Sequence, residues 1–379
     1  MIKALGTLFA LKLSRLNRVG LGILISVIGA GAEPYLAVRT GFKCSQCHVN
    51  RIGGGERTEY GSAYTQYKLL MTQTEELMQI QGGQTSFNPK LNNSITVGAN
   101  FRVEETGTQK YTYRDTGTHI APANNALGIK EANVYLNFEL VKNRLNLYVD
   151  QNMAGAGARE IWMMARNFPL NGYVKVGQAL LPYGLRLMDD QAFIRSKTDY
   201  TYNNPAIGAE IGIEPGPLSL TANLTNTRFS SVGSVVYRNF RVGGSFGTSV
   251  KDAMSARTTF DQAYGPFVGF NFGRITFMSE VDFIRLPSDS IHDIHQVAQF
   301  YEVDALPIQG VNVKATYEYF DKNTDIANKY DGQERWTFGI EPFVSRFLQV
   351  GVYYRMNKWI PQNTAENQDQ IIGRAHVFF

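Results

Sequence analysis

Residues 130–140 read KEANVYLNFEL, a stretch in which apolar and polar side chains alternate without interruption. One side consists of Ala132, Val134, Leu136, Phe138 and Leu140, and the other is mostly glutamate and asparagine. Because successive side chains of a strand point to opposite faces, this pattern predicts a β-strand with one apolar and one polar face. Strands of about ten residues with this alternation are typical of transmembrane β-barrels.

Two later stretches repeat the pattern, VNVKATYEYF at 311–320 and LQVGVYYRMN at 348–357. An antiparallel transmembrane barrel with a wet lumen would turn the apolar side to lipid. A soluble sandwich or barrel is the alternative, with that side turned inward. The terminal strand ending in Phe379 resembles the C-terminal signature of bacterial outer-membrane proteins, which favours the membrane. No stretch after the N-terminal segment has 18 consecutive apolar residues, so membrane-spanning helices are not expected.

The alternation and the turn residues between strands predict an all-β barrel of about sixteen strands, an even number as in single-chain bacterial barrels. Sixteen strands enclose an aqueous channel unless something plugs it. With the first strand rising from the periplasm, the short turns are periplasmic. The long connections, expected outside, are 105–127, 181–205, 287–296, 321–332 and 358–367. The predicted strands lie near 92–104, 128–140, 143–153, 159–168, 171–180, 206–214, 217–227, 236–245, 250–258, 264–272, 275–286, 297–305, 310–320, 333–342, 346–357 and 368–379.

The only two cysteines of the chain lie in Cys44-Ser45-Gln46-Cys47-His48, the attachment pattern of a c-type haem. Each thiol of this pattern bonds one vinyl group of the porphyrin, and the histidine is then placed to ligate the iron. Cys44 and Cys47 are therefore predicted to hold one haem c covalently, with His48 as the axial ligand and thus the metal-binding residue. A disulfide between Cys44 and Cys47 is the alternative, but it would not explain the histidine at position 48.

The first 32 residues have the pattern of an export signal. Basic residues precede an apolar run over 19–28, and the small-x-small pattern Ala30-Gly31-Ala32 follows. A transmembrane anchor is disfavoured because the run is much shorter than the roughly 20 residues that a spanning helix needs. We therefore expect residues 1–32 to be a signal peptide that is removed after about Ala32.

The mature chain divides into two predicted parts. Residues 33–90 form a short monohaem cytochrome c segment with a helix within 57–80, and residues 91–379 form the barrel. A segment of this size buries little core of its own. We therefore expect it to lie in the barrel lumen as a plug, or at the periplasmic face.

The haem motif also carries a family resemblance. Residues 37–48, AVRTGFKCSQCH, follow an export signal and precede a barrel, and they resemble the start of the fused monohaem cytochrome–porins of the bacterial outer membrane. Studied members of that family are linked to iron(II) oxidation at the cell surface. Residues 49–90 match only in position and length, and the barrel matches mainly in architecture. The resemblance therefore implies the haem site but no iron-binding residue. Residues 177–185, GQALLPYGL, separately resemble a segment of phosphate-selective-type porins.

The second axial ligand of the haem iron has three candidates. Met71 and Met78 lie in the haem segment, and c-type cytochromes commonly use methionine or histidine at this position. His376 is predicted to face the lumen at the periplasmic end, because its neighbours in the last strand should face lipid. The alternative for Met71 and Met78 is packing on the apolar side of the predicted helix, and for His376 it is a pore-lining histidine that ligates nothing. A sixth position that is open or water-bound is a further possibility.

Other chemical candidates are weaker. His292, Asp293 and His295 lie in a predicted external loop and form a string that could bind iron, zinc or copper, although polar loops often contain such strings. The 181–205 connection carries three aspartates among basic residues, which favours a solvated mixed-charge loop.

Basic side chains are also predicted to line the pore. Lys175, Arg355 and Arg374 are expected to face the lumen and to give a mild anion preference. The net charge of +4 is too weak and dispersed to indicate nucleic acid binding.

Two classes of function remain. The first is an outer-membrane electron conduit, and thus a possible iron(II) oxidase, that passes electrons from extracellular Fe(II) or another donor to a periplasmic c-type cytochrome or other carrier. The second is a diffusion porin whose haem segment is a plug or structural cap. Export of electrons to an extracellular acceptor is a variant of the first. The hydrocarbon core is about 30 Å thick, so with one haem a redox partner must reach into the barrel.

Overall fold

A closed antiparallel β-barrel makes up most of the chain. The computed structural model describes residues 33–71, 88–114, 117–155, 157–202, 204–249, 262–287, 293–326, 331–363 and 365–379. The strands are β1 Ile95–Arg114, β2 Gly117–Ile120, β3 Asn124–Val141, β4 Leu145–Asn152, β5 Ala158–Phe168, β6 Gly172–Ala179, β7 Ala206–Ile213, β8 Leu218–Thr225, β9 Arg228–Tyr237, β10 Phe240–Ser249, β11 Gln262–Phe272, β12 Ile275–Leu286, β13 Ile294–Ile308, β14 Val311–Asp321, β15 Gly332–Ser345, β16 Leu348–Ile360 and β17 Asn367–Phe378. The helices are α1 Pro34–Thr40, α2 Cys44–Cys47, α3 Glu59–Lys68 and α4 Phe193–Ser196.

Neighbouring strands in the chain are neighbours in the barrel. The barrel closes where β17 pairs with β1, for example at Arg102 and His376. The short strand β2 pairs only with the far end of β1, and β1 also pairs with β3. Sixteen strands therefore form the wall, which confirms the predicted fold class.

The alternation of side chains sets the two faces of the wall. In β15 the side chains of Trp336, Phe338 and Ile340 are exposed, whereas Arg335 and Thr337 are buried toward the interior. An apolar exterior with polar residues inside is the pattern of a transmembrane barrel. None of the helices in the described ranges is long and apolar enough to cross a membrane.

The two ends of the barrel differ. At one end, here called the short-turn end, strands are joined by turns such as 142–144, 273–274 and 309–310. Exposed aromatic residues ring this end at Phe168, Tyr237, Phe240 and Phe272, as expected at a membrane interface. At the other end, the long-loop end, the β1–β3 hairpin extends well past its neighbours, so much of the predicted 105–127 connection is strand.

One strand assignment is wrong. The predicted strand 236–245 crosses a tight turn at Arg238, which has φ 51°, and the chain instead forms the hairpin β9–β10. β9 was not predicted because its serines and glycines give little alternation between apolar and polar residues. The predicted strand 250–258 lies outside the described residues.

Residues 33–71 lie within the ring of strands at the short-turn end. This segment, here called the plug, makes contacts around nearly the whole wall, through buried or inward-facing groups. The contacts join Glu56 to Tyr148, Asn50 to Glu160, Arg51 to Glu214, Phe42 to Arg241, Glu33 to Lys314, Met71 to Phe343 and Arg57 to Phe378. A segment that touches opposite sides of a closed barrel through such groups occupies its interior.

The connection 180–205 between β6 and β7 also lies inside the barrel. Leu181, Leu185 and Ile194 are buried, so the prediction of an external, solvated loop is wrong. The physical reason is that this connection, here called the inner loop, carries too many large apolar side chains to be left in water. Its charged residues find partners in the wall, including Asp189 with Arg355 and Arg195 with Glu280.

The plug and the inner loop share an apolar core with the wall. Tyr35 and Val38 of the plug, Phe193 of the inner loop, and Phe267 and Phe300 of the wall belong to one buried cluster. The plug and the inner loop therefore fill much of the lumen that the strand pattern predicts to be wet. Much of the interior is packed like the core of a soluble domain.

Candidate functional site

The motif CSQCH begins with the single helical turn α2. The Lys43 backbone N–H donates to the Gln46 side chain at 2.8 Å, and the His48 backbone N–H donates to the Cys44 carbonyl at 2.9 Å. These bonds close the turn, and spacing of three along a helix puts Cys44 and Cys47 on the same side. Both cysteines are free thiols and not a disulfide.

His48 is held between two backbone segments. It pairs with Arg57 in an isolated antiparallel bridge, and the next residue, Val49, donates its N–H to the Glu56 carbonyl at 3.0 Å. Burial and the neighbouring Arg57 guanidinium lower the pKa of His48 to about 3. The imidazole is therefore neutral at physiological pH, which is the form that ligates metal ions.

Three consecutive glycines make the tight return from His48 to Arg57 possible. Gly53, Gly54 and Gly55 have φ of 92°, 77° and 65°, which L side chains rarely adopt. A Cβ on Gly55 would also collide with the Tyr148 hydroxyl group. The glycines thus let the motif fold back against the barrel wall.

The motif opens on a large cavity between the plug and the inner loop. The cavity has about 1220 Å³ of space, including its opening to solvent, and both cysteines and His48 line it. Its lining is mostly apolar, with Ile52 and Tyr64 from the plug and Leu185 and Tyr202 from the inner loop.

The residues around this cavity fit a c-type haem. Two free thiols on one side of a helical turn, a neutral histidine directly after them, and a spacious apolar cavity are what covalent attachment and iron ligation require. Burial and the nearby Cys44 thiol raise the pKa of Cys47 to about 11, so that thiol is protonated at neutral pH in the absence of a bonded group.

The candidates for the second axial ligand lie away from the cavity. The Met71 backbone N–H donates to the Phe343 carbonyl at 3.1 Å, beside the β13–β14 turn. His376 is buried in β17, facing inward as predicted, with Nε2 2.5 Å from the Asn100 side-chain oxygen. Met78 lies outside the described residues. Among the described residues that line the cavity there is no methionine, and the only histidine is His48.

The predicted metal-binding string at the long-loop end does not converge in the part of the chain that is described. Arg285 donates to the Asp293 carboxylate at 2.7 Å, whereas His295 lies 3.9 Å from Asp325 and both are largely exposed. His292 lies outside the described residues. No group of three histidine, cysteine or acidic side chains that could hold a metal ion occurs in those ranges.

The basic residues predicted to line the pore face inward, but each has an acidic partner. Lys175 pairs with Glu210 at 2.8 Å, and Arg374 pairs with Glu104 at 2.7 Å. Arg355 pairs with Asp189 of the inner loop. Paired charges give little net field, which weakens the basis for an anion preference.

The cavity has polar lining residues that the sequence motif did not reveal. Arg241 of β10 donates to the Phe42 carbonyl at 3.1 Å and lies 3.8 Å from the Cys44 sulfur. Arg186 and Tyr202 of the inner loop stack on each other, with 5.0 Å between the guanidinium carbon and the ring centre. The one available signal was the high apolar content of residues 180–205, which indicated burial.

Comparison with solved structures shows that this barrel resembles those of bacterial outer-membrane proteins, porins among them, in fold. A loop-deletion mutant of OmpT, an outer-membrane protein of Vibrio cholerae, covers 76% of this chain and 99% of its own length at 13% identity, with a TM-score of 0.56. The anion-selective porin from Comamonas acidovorans covers 76% of this chain and 99% of its own length at 12% identity, with a TM-score of 0.55. OprB of Pseudomonas putida covers 76% of this chain and 95% of its own length at 10% identity, with a TM-score of 0.52. At these identities the likeness concerns the fold.

The sequence matches no protein-family model and no curated protein.

Proposed function

We propose that this chain is an electron-transfer protein of the bacterial outer membrane. In this proposal Cys44 and Cys47 bind one c-type haem covalently, and His48 ligates its iron from one side. The haem supplies a one-electron redox centre. The protein then takes electrons from an extracellular donor, Fe(II) in the first instance, and delivers them to a periplasmic cytochrome or similar carrier.

The observation that carries this proposal is the cavity between the plug and the inner loop, with both thiols and the neutral His48 in its lining. A plug that only blocks a pore needs an impermeable core, not a mostly apolar cavity lined by the chain's two cysteines. The apolar walls would keep water from a bound porphyrin, and a dry environment tunes a redox centre.

The position of the plug supports transfer to a periplasmic partner. The plug contacts the short turns, including Arg238 and Arg274 through Gly41 and Arg39. In single-chain bacterial barrels the short turns face the periplasm. A carrier on that side would approach the plug directly, whereas a donor outside would enter through the long-loop end toward the inner loop.

A diffusion porin is the second candidate, and the fold favours it. The similar solved structures include porins, one of them described as anion-selective. In that case the plug and the inner loop would set the size and charge of a narrow path. The described part of the lumen contains paired charges and a packed apolar core, and neither forms a path for ions through a diffusion porin.

Covalent haem is the first test. The full-length protein, made in a host competent for c-type maturation, should give a haem-stained band on a denaturing gel. The band should be absent from Cys44→Ala combined with Cys47→Ala. Wild-type protein without a band would end the electron-transfer proposal.

Vectorial transfer is the second test. Holoprotein in sealed vesicles that enclose a redox dye should reduce the dye when Fe(II) is added outside, and the double cysteine variant should not. Ion conductance without dye reduction would support the diffusion porin. Dye oxidation by an external acceptor, in vesicles loaded with reduced dye, would indicate electron export.

A further inference from the structure

The inner loop brings an arginine to the haem cavity with part of its hydrogen-bonding capacity unused. Arg186 lines the cavity from the inner loop, whereas the motif lines it from the plug, and the Arg186 Nη1 donates to the Leu181 carbonyl at 3.2 Å. Its Nε and Nη2 atoms are buried and have no hydrogen-bond partner among the described residues. The guanidinium carbon lies 5.0 Å from the centre of the Tyr202 ring.

A buried guanidinium with two idle donors is an unusual arrangement. Buried polar groups in native proteins are nearly always paired, and an exception calls for a missing partner. Nε and Nη2 form one edge of the guanidinium, and this edge donates two parallel hydrogen bonds to a carboxylate. A water molecule would accept one bond and leave the positive charge without compensation.

Arg186 has two buried guanidinium nitrogens without a partner among the described residues, whereas Arg241 has one, Nε. Arg57, which also lines the cavity, lies over the Phe378 ring at 4.2 Å. Arg51 forms an ion pair with Glu214 at 2.8 Å, and Lys43 donates to the carbonyls of Glu214 and Leu218. Arg241 lies beside Cys44, at the end of the cavity where the thiols are. Arg186 is therefore the basic residue of the inner loop that lines the cavity and has two donors free to bind a ligand.

We infer that Arg186 binds a carboxylate of the molecule in this cavity, which on the proposed function is a propionate of the haem. The inference rests on that proposed function. The propionates are the anionic substituents of a porphyrin, and they lie away from the vinyl edge that the cysteines would bond. Arg186 would thus join the inner loop to the cofactor and stabilise the reduced iron, because its positive charge compensates the propionate.

The test uses haem-loaded full-length protein as wild type, Arg186→Gln, Arg186→Lys and Arg335→Gln. Arg335 is the matched control, because it bonds the Gln191 carbonyl of the same loop without lining the cavity. Two properties are measured: the propionate bending mode by resonance Raman spectroscopy, and the midpoint potential by spectroelectrochemical titration. A heat-modifiability gel verifies that each variant has a folded barrel.

In Arg186→Gln the propionate mode should shift and the midpoint potential should fall. Arg186→Lys should retain most of the potential, since it keeps the charge, but should still shift the mode, since it lacks the two-donor edge. Arg335→Gln should change neither property. If Arg186→Gln does not fold, the Raman shift of Arg186→Lys decides.

Two results would overturn the inference alone: haem-loaded Arg186 variants with wild-type values, or an equal shift in Arg335→Gln, which would indicate a general displacement of the loop. Absence of haem from the wild type would instead overturn the proposed function, and the inference with it.

Discussion

Gly61 is the residue at which α3 comes closest to the haem motif. A Cβ at this position would collide with the Cys47 carbonyl group. We therefore expect Gly61→Val to push α3 away from the motif and to destabilise the plug by about 1–3 kcal/mol, the usual cost of overpacking. Haem staining per unit of folded barrel should fall, because the thiols and His48 would no longer hold their relative positions.

Gly373→Ala is the matched control for this substitution. Gly373 lies in β17, and a Cβ there would have no atom within 4 Å. This variant should have wild-type haem content. Equal haem content in Gly61→Val and wild type would mean that the close contact with α3 does not position the motif.

For single residues, the sequence was informative where the chemistry depends on residues that are close together along the chain. Cys44, Cys47 and His48 could be singled out as a candidate haem site, because the covalent attachment that the motif predicts requires a fixed spacing along the chain. Arg186 could not, since its role depends on where a 26-residue connection folds and on which atoms remain unpaired there. The buried face of α3 was also hidden, because Ser62 and Gln66 are buried while Tyr60 and Tyr67 are exposed.

The inner loop is held to the wall by ion pairs that can be tested at the level of the element. Burial alone would raise the pKa of Asp189. The guanidinium groups of Arg355, Arg335 and Arg374 together outweigh that effect and bring the pKa below its usual range. Asp189→Asn should therefore destabilise the folded protein at pH 7 by about 1.5–3 kcal/mol, as expected for a hydrogen bond to a charged group.

The pH dependence of this effect follows from the sign of the shift. A depressed pKa in the folded state gives a stabilisation that is present above the unfolded value of about 3.9 and is lost as the pH falls toward the folded value. Urea unfolding in detergent should thus separate wild type from Asp189→Asn at pH 7, and less so at pH 3. Asp190→Asn is the control, because burial raises the pKa of Asp190 and its charge is not stabilising. A similar loss in both variants would contradict the assignment.

Strands with clear alternation were predictable, and the exceptions have local causes. The β9–β10 hairpin turns through Arg238 and Asn239, and Arg238 has the positive φ of 51° at a position where glycine or asparagine is typical. The inward folding of the inner loop had a different cause, since a long connection between strands can lie on either side of a barrel rim. Only the number of apolar side chains in the connection indicates whether it folds into the barrel or stays outside.

Two segments of the described part of the chain obstruct the barrel interior. They are the plug, at the short-turn end, and the inner loop, which shares a buried cluster with it. We expect removal of residues 34–68, or replacement of residues 183–202 by a short Gly-Ser linker, to raise single-channel conductance only modestly. Removal of both should raise it far more than the two single changes together, because the remaining obstruction limits each single variant.

Planar-bilayer recordings at one salt concentration would measure the four conductances. Heat-modifiability gels would exclude variants without a folded barrel. If either single change gave the conductance of the double change, the other element would not obstruct the pore. Sequence periodicity revealed the barrel but not this filling, because contacts such as that of Glu33 with Lys314 join residues 281 positions apart.

That separation has a consequence for biogenesis. The plug precedes every strand in the chain, yet its contacts extend from β4 to β17, so it cannot dock until the last strands have joined the wall. Docking also leaves both thiols only partly exposed, in the lining of the cavity. On the proposed function, an enzyme that attaches haem to Cys44 and Cys47 would have full access only before the segment docks. Haem attachment would then precede the completion of membrane insertion, and a barrel that closed first would lack haem.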